Sequence, residues 1–401
     1  MANMETIKVS YLLVMVRRLF LGLITGMCCM GANAQQLDVE RQLDYCRKQV
    51  ARSLRELAPI DYTMTPRNIG LEQKHWNLRS VKTPEEWCAG FYPGVLWMCG
   101  QREEAAKYTK ELEYLAYSPV YDHDLGFIMI GSFLKGCEIT ADEHYRDVLL
   151  AAADTLATLY NPRVGTLLSW PRNVKIFGGH NTIIDNMINL ELLLFSGKKE
   201  NVDIAIHHAD TTMKHQFRPD GTVYHVAVYD PVTGKHLRNC THQGFGDNTL
   251  WARGQAWAIY GYTMMYRYTR AQRYLDFAQK VADVMIKQLP ADGIPWWDMC
   301  DPMIPQSFRD ASAAAIMASG LVELSSYTGR DGKDTQKAAS YLSTAKTILS
   351  TLSGDEYQSR KKNPAFLMHS VGNMPAGTEV DYSINYADYY YVEALLRLEK
   401  L

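Results

Sequence analysis

Ala311-Ser312-Ala313-Ala314-Ala315-Ile316-Met317-Ala318-Ser319-Gly320-Leu321-Val322-Glu323 carries a single charge, at its last position. A helix of this composition is apolar on every face, so it must be enclosed on all sides. Its small residues let neighbouring helices approach closely. The helical stretch before it, 272–289, has the opposite character. Arg273, Asp276, Lys280, Asp283 and Lys287 give it a wet face and an apolar stripe.

The alternation continues in both directions. Apolar periodicity predicts helices at 38–57, 93–99, 102–116, 124–138, 142–160, 182–195, 200–217, 249–268, 272–289, 311–327, 334–351 and 382–399. The odd-numbered members are amphipathic; the third carries Arg102, Glu103, Glu104, Lys107, Lys110, Glu111 and Glu113. The even-numbered members are apolar on nearly every face. Six charged helices around six apolar ones is the pattern of an all-α fold, an (α/α)6 barrel. The inner helices then run parallel, with their N-termini gathered at one end. The loops entering that end are long and rich in aromatics, as functional loops often are. One of them, near 222–237, reads as a hairpin. No linker or low-complexity stretch divides the chain, which predicts one catalytic domain over 35–401.

The N-terminus reads as an export signal over 1–34. Arg17-Arg18 precedes an apolar run from Leu19 to Met30, followed by Ala32-Asn33-Ala34, a small-x-small cleavage site. The run is short for a membrane span. Cys28 and Cys29 raise lipidation as an alternative, but Met27 stands where that signal needs a small residue. The expectation is a periplasmic protein with no membrane attachment once the signal is removed. Met15 is a second candidate start. The 401 residues have a net charge of -2, so no basic field recruits nucleic acid. Past the signal, Cys46, Cys88, Cys99, Cys137, Cys240 and Cys300 are scattered without a C-x-x-C pair. That argues against zinc and for packing as small hydrophobes. No metal and no organic cofactor is expected.

Polar residues interrupt the apolar pattern at the starts of the even helices. The fourth begins at Asp124, the sixth supplies Asp185, the tenth starts with Asp310 and Ser312. Trp87 precedes the second. His242-Gln243 and then Trp251-Ala252-Arg253-Gly254-Gln255-Ala256-Trp257 open the eighth. Tryptophans stack on sugar rings, and Arg253 and Gln243 can hydrogen-bond hydroxyls or a carboxylate. Two carboxylates are the usual equipment for glycosidic bond cleavage. Each residue also has a plainer reading. Asp124 and Asp185 can cap their helices. His225 can be a surface histidine of the hairpin. Asp388 reads as a hydrogen-bonder between inner helices. Trp296-Trp297 is a sugar platform or loop packing. Arg253 on a buried helix needs a partner in any case. An inverting glycosidase, a sugar epimerase built on His123 and His242, and a periplasmic sugar-binding protein without turnover are the competing functions.

His-Asp-Leu-Gly-Phe at 123–127, Ile-Ile-Asp-Asn-Met-Ile-Asn-Leu at 183–190, Trp-Ala-Arg-Gly-Gln-Ala-Trp at 251–257, Arg-Asp-Ala-Ser-Ala-Ala-Ala at 309–315 and Ala-Asp-Tyr-Tyr-Tyr at 387–391 together resemble the unsaturated glucuronyl hydrolases, glycoside hydrolase family 88. The resemblance runs from about residue 85 to the C-terminus in one order. It implies an (α/α)6 barrel and a glycosaminoglycan-type oligosaccharide ending in a 4,5-unsaturated uronic acid. It implies Asp185 as general acid and base and Asp124 as the second essential carboxylate, an anion that raises the pKa of Asp185. Trp87, His225, Gln243, Trp251, Arg253 and Trp257 become substrate contacts, joined by His123 beside Asp124. A related activity on pectin fragments, unsaturated rhamnogalacturonyl hydrolysis, is the nearest alternative. The chain departs from the family at Cys88, where Thr or Ser is common, and at Tyr92, where Trp is. Residues 372–380 lack the serine and lysine spacing that some relatives place near a sulfated sugar.

Overall fold

The computed structural model describes residues 37–401. The expected signal segment and its cleavage site lie outside the described residues. Six inner helices alternate with six outer ones in an (α/α)6 barrel. The outer set is α1 (Val39–Leu57), α3 (Arg102–Lys110), α5 (Glu143–Ala157), α7 (Lys199–His215), α9 (Gln272–Ile286) and α11 (Thr335–Leu352). The inner set is α2 (Phe91–Met98), α4 (125–140, with a π-helical middle at Ile130–Leu134), α6 (Asn186–Ser196), α8 (Ala252–Thr269), α10 (Ala311–Arg330) and α12 (Asn385–Glu399). In α10 every residue from Ala311 to Val322 is buried, and in α8 every residue from Ala252 to Tyr266. The apolar faces of the outer helices close against this inner ring.

Each inner helix turns into the next outer one within a few residues, at 99–101, 141–142, 197–198, 270–271 and 331–334. Such short links force antiparallel neighbours. Left-handed residues make several of these turns: Ala141 at φ 55°, Gly197 at φ 64° and Arg270 at φ 55°. The return connections, 58–90, 111–124, 158–185, 216–251, 287–310 and 353–384, are long, and all of them enter the N-terminal ends of inner helices.

These long connections carry the strands. β1 (Met64–Gly70), β2 (Asn77–Ser80), β8 (Ser370–Asn373) and β9 (Thr378–Ile384) form one antiparallel sheet in the order β2-β1-β9-β8. It joins the first connection to the last through Asn68 opposite Ile384. β3 (Tyr160–Asn161) and β4 (Thr166–Leu167) pair alone. β5 (His180–Ile183), β6 (Val226–Tyr229) and β7 (His236–Cys240) form a third sheet. The expected hairpin is β6–β7, which turns at Asp230, whose carboxylate accepts from Val232 N and Thr233 N. The expected helices at 182 and 382 begin later, because Thr182 and Tyr382 belong to strands.

Six charges of the inner helices meet at the end of the barrel away from these connections. Glu323 of α10 receives Arg267 of α8 at 3.0 Å and Arg397 of α12 at 3.0 Å. Arg267 also reaches Glu191 of α6 at 3.1 Å, and Glu393 of α12 meets Lys135 of α4 at 3.4 Å. Burial works against the charge on Glu393, but Arg397 and Lys135 hold its carboxyl at about 2. A paired, desolvated network of this kind specifies how helices sit more than it adds stability.

Cys46, Cys88, Cys99 and Cys240 are buried thiols, as packing alone predicts, and Cys300 is exposed. No helix among the described residues is long and apolar enough to cross a membrane.

Candidate active site

Aspartates precede six helices, and they divide into two kinds. Asp38, Asp142, Asp310 and Asp334 cap theirs, each accepting a backbone N–H of the first turn. Asp124 and Asp185 do not. Both have helical backbone angles, φ -67° with ψ -7° and φ -54° with ψ -28°, and neither side chain accepts from its own helix. An N-cap residue needs extended angles to turn its carboxylate back onto the first turn. These two side chains are therefore free to point elsewhere, which removes the capping reading.

The crossing of α4 and α6 brings the pair together. A Cβ on Gly126 would lie 2.4 Å from Asn189 Oδ1 and 2.6 Å from Asn189 Cα, so only glycine lets the helices approach this far. A histidine faces each acid. His225 sits in the connection before β6, and Ile184 N donates to its carbonyl at 3.0 Å. That bond sets His225 Nε2 3.8 Å from Asp185 Oδ2. His225 Nδ1 accepts from His242 N and Gln243 N, both at 3.1 Å. With Nδ1 an acceptor, the ring proton is on Nε2 and faces Asp185. His123 Nε2 lies 3.5 Å from Asp124 Oδ1. Burial holds both imidazoles well below their ordinary pKa, so both are neutral.

Burial also raises both carboxyls. Asp185 moves to about 6, opposed by Arg253, its own backbone N–H and Trp257. Asp124 is raised well above the usual range; Asp122 and Asp185 add to burial, and Arg172 and Arg67 oppose it. Desolvation, and not an Asp124 anion as expected, is what lifts Asp185.

Trp251, Arg253 and Trp257 come from the first turns of α8. Trp251 packs against His225 with centroids 4.4 Å apart and the rings tilted by 38°, and the Arg253 guanidinium lies 4.5 Å over the Trp251 ring. Arg253 has its partner: Nη1 donates to the Val371 carbonyl and lies 3.5 Å from Asp310 Oδ2, and Nη2 donates to Gly372 O at 2.7 Å. Gln243 Nε2 donates to the same Gly372 carbonyl at 3.1 Å. Arg253 and Gln243 thus fasten β8 across the mouth, and the Nε of Arg253 is left for a ligand. Trp87 is half-buried against Phe91, Phe127 and Tyr386, with Arg67 5.3 Å over its ring. Trp257 packs on Phe127 and Tyr390. Asp185 Oδ2, His225 Nε2, Trp257 Nε1 and Tyr386 OH are buried with no hydrogen-bond partner among the described residues. One carboxyl among so many donors suits a ligand rich in hydroxyls and bearing its own anion. No cluster of His, Cys, Asp or Glu among the described residues is arranged to hold a metal ion.

Several plainer readings resolve. His225 is not a surface residue; its side chain is 1% exposed. His123 is fully buried, with its Nε2 3.5 Å from Asp124 Oδ1. Trp297 is loop packing, its indole N–H donating to Asp301 at 2.7 Å. Asp388 does not join inner helices but accepts from Phe366 N at 2.9 Å and Leu367 N at 3.0 Å. Tyr92 points away from the site, its hydroxyl 2.8 Å from Ser53 on α1, so the departure there leaves the sugar platform untouched.

The sequence reading passed over Trp170, which lies 6.2 Å from both His123 and His225 and 5.1 Å from His242, and so ties the two histidine walls together. It also passed over Tyr386, whose ring packs at a tilt beside Trp87, and Asn189. Asn189 had a visible signal, a polar residue one helical turn after Asp185 in a helix that is buried almost throughout.

No protein-family profile matches the chain. It is 42% identical over 333 residues to the unsaturated glucuronyl hydrolase of Formosa agariphila, covering 79% of this chain and 81% of that protein. A solved unsaturated glucuronyl hydrolase specific for heparin superposes with a TM-score of 0.82 at 37% identity, covering 90% of this chain and 98% of the other. The unsaturated glucuronyl hydrolase from Bacillus sp. GL1, responsible for the degradation of glycosaminoglycan, gives a TM-score of 0.82 at 30% identity over 90% of this chain and 97% of that one. The barrel, the acid pair and these relatives agree: the chain belongs to the unsaturated glucuronyl hydrolases, a family of glycosidases.

Proposed function

We propose that this enzyme removes a 4,5-unsaturated uronic acid from the non-reducing end of glycosaminoglycan fragments left by polysaccharide lyases. The observation that carries the reading is the uncapped acid pair at the mouth, with Asp185 raised to about 6 amid unpartnered donors. The target sugar is a vinyl ether conjugated to a carboxylate. Protonated Asp185 gives its proton to C4, and positive charge develops at C5 and the ring oxygen. The Asp185 carboxylate then takes a proton from water as that water adds to C5. The hemiketal so formed opens to a C5 ketone, and the hemiacetal left at C1 releases the next sugar as an alcohol. The chemistry is hydration, so the carboxylate separation that sorts retaining from inverting glycosidases does not govern it. Asp124 is the second carboxyl beside the reacting ring, and Arg253 with Gln243 orients the uronate.

The test follows the absorbance of the conjugated double bond with heparin, chondroitin and pectin lyase products side by side. Loss of absorbance with glycosaminoglycan products is the expected result. Turnover confined to the pectin product would make the enzyme a rhamnogalacturonyl type, and unchanged absorbance with all three would reject the reading. The Arg17–Ala34 segment supports export to the periplasm. Fractionation of cells that make the full chain checks this, and recovery in the cytoplasm would overturn it.

A further inference from the structure

His123 is fully buried, yet it turns a ring nitrogen to the acid that follows it in sequence. What sets the proton on that ring is one amide. Asn189, on α6, reaches across to α4. Its Oδ1 accepts from Phe127 N at 2.6 Å, a bond that only the amide oxygen can make. Its Nδ2 therefore faces His123 Nδ1, at 2.9 Å, and donates to it. That bond requires the ring proton on Nε2, the nitrogen that lies 3.5 Å from Asp124 Oδ1.

We infer that Asn189 is a positioning residue that fixes His123 as the Nε2–H tautomer and so keeps a hydrogen-bond donor aimed at Asp124. The inference rests on the proposed role of Asp124 as second carboxylate. Around Asp124 stand Asp122, Asp185, Arg172, Arg67, Cys88 and His123; around His123 stand Asp124, His208, Arg172 and the amides of Asn186 and Asn189. A donor on Asp124 favours its ionised form, whereas the neighbouring acids and burial favour the neutral one. Asn189 thereby biases the protonation of Asp124, although it does not touch it.

The test uses two variants. Asn189→Ser withdraws the donor without adding charge. Asn189→Asp keeps an acceptor for Phe127 N but presents a second acceptor to Nδ1, which draws the ring proton to the wrong side. In 15N-histidine-labelled protein, His123 is expected as one Nε2–H form in the parent, mixed in Asn189→Ser, and Nδ1–H or doubly protonated in Asn189→Asp. Turnover of an unsaturated disaccharide should fall about tenfold in the first and a hundredfold in the second, with KM within about threefold and a displaced pH profile. Folded variants whose His123 signals or pH profiles superpose on the parent would overturn the inference. Should the parent itself leave the double bond untouched, the proposed function fails, and the tautomer spectra still decide the role of Asn189.

Discussion

His225 presents its Nε2–H to Asp185 Oδ2 across 3.8 Å, while the opposite ring nitrogen is held by the backbone amides of His242 and Gln243. Because burial keeps this imidazole neutral, it can orient the carboxyl without taking its proton. A protonated histidine in that place would hold Asp185 ionised, which is the wrong state for a proton donor.

Asp185→Asn should abolish turnover while leaving substrate binding within a few-fold, measured by calorimetry against double-bond absorbance. The same change should raise stability. The folded protein holds this carboxyl at about 6 against an ordinary 3.8, so the charged form is disfavoured on folding. Its stabilising effect is complete below about pH 4 and lost as pH rises through 6, a difference of about 3 kcal/mol. The variant should therefore melt several degrees higher at pH 7.5, with the gap closing toward pH 4. An equal gap at both pH values would refute the linkage.

The pH profile follows from the same group. Free enzyme loses its proton donor as pH rises through about 6, so kcat/KM should fall about tenfold per unit above that point. The bound uronate adds a like charge beside Asp185, so the limb in kcat should lie at higher pH. Coincident limbs would show that the substrate carboxylate binds away from Asp185.

Arg253→Lys keeps the charge but loses the fork that holds the Val371 and Gly372 carbonyls. It should raise KM ten- to a hundredfold and loosen the β8–β9 hairpin. Hydrogen exchange at 370–384 is the check; unaltered protection there would mean that the guanidinium is not the fastener.

Gly126→Ala pushes a methyl into Asn189 and forces α4 away from α6. Overpacking of this kind costs about 1–3 kcal/mol. The larger effect should fall on kcat, at least tenfold, because the two acids ride on these helices. A Tm loss without a loss of kcat would separate the helix crossing from the chemistry.

The inner and outer helices were readable because their difference is compositional. Glu323 is the single charge in α10 before its last residue, Arg330, whereas α9 shows charge at every turn. Apart from the β6–β7 hairpin, the strands were not readable. β5 and β8 are four residues each, inside long connections, and β1 finds its partner β9 more than three hundred residues away. Local periodicity holds no record of such pairing. The same strands delay the starts of α6 and α12 and leave Asp185 just outside its helix. Asp124 and Asp185 could be named from sequence, but whether they capped depended on backbone angles that no pattern encodes. Asn189 and Trp170 matter through what they touch across the barrel, and contact at that range is a property of the fold.

The ion pairs among Glu323, Arg267, Arg397, Glu191, Glu393 and Lys135 make the barrel a cul-de-sac. A polymer cannot thread through it; a chain can only put its tip in and back out. Such an enzyme counts chain ends rather than links, so at equal sugar mass its rate on a long fragment falls in proportion to length.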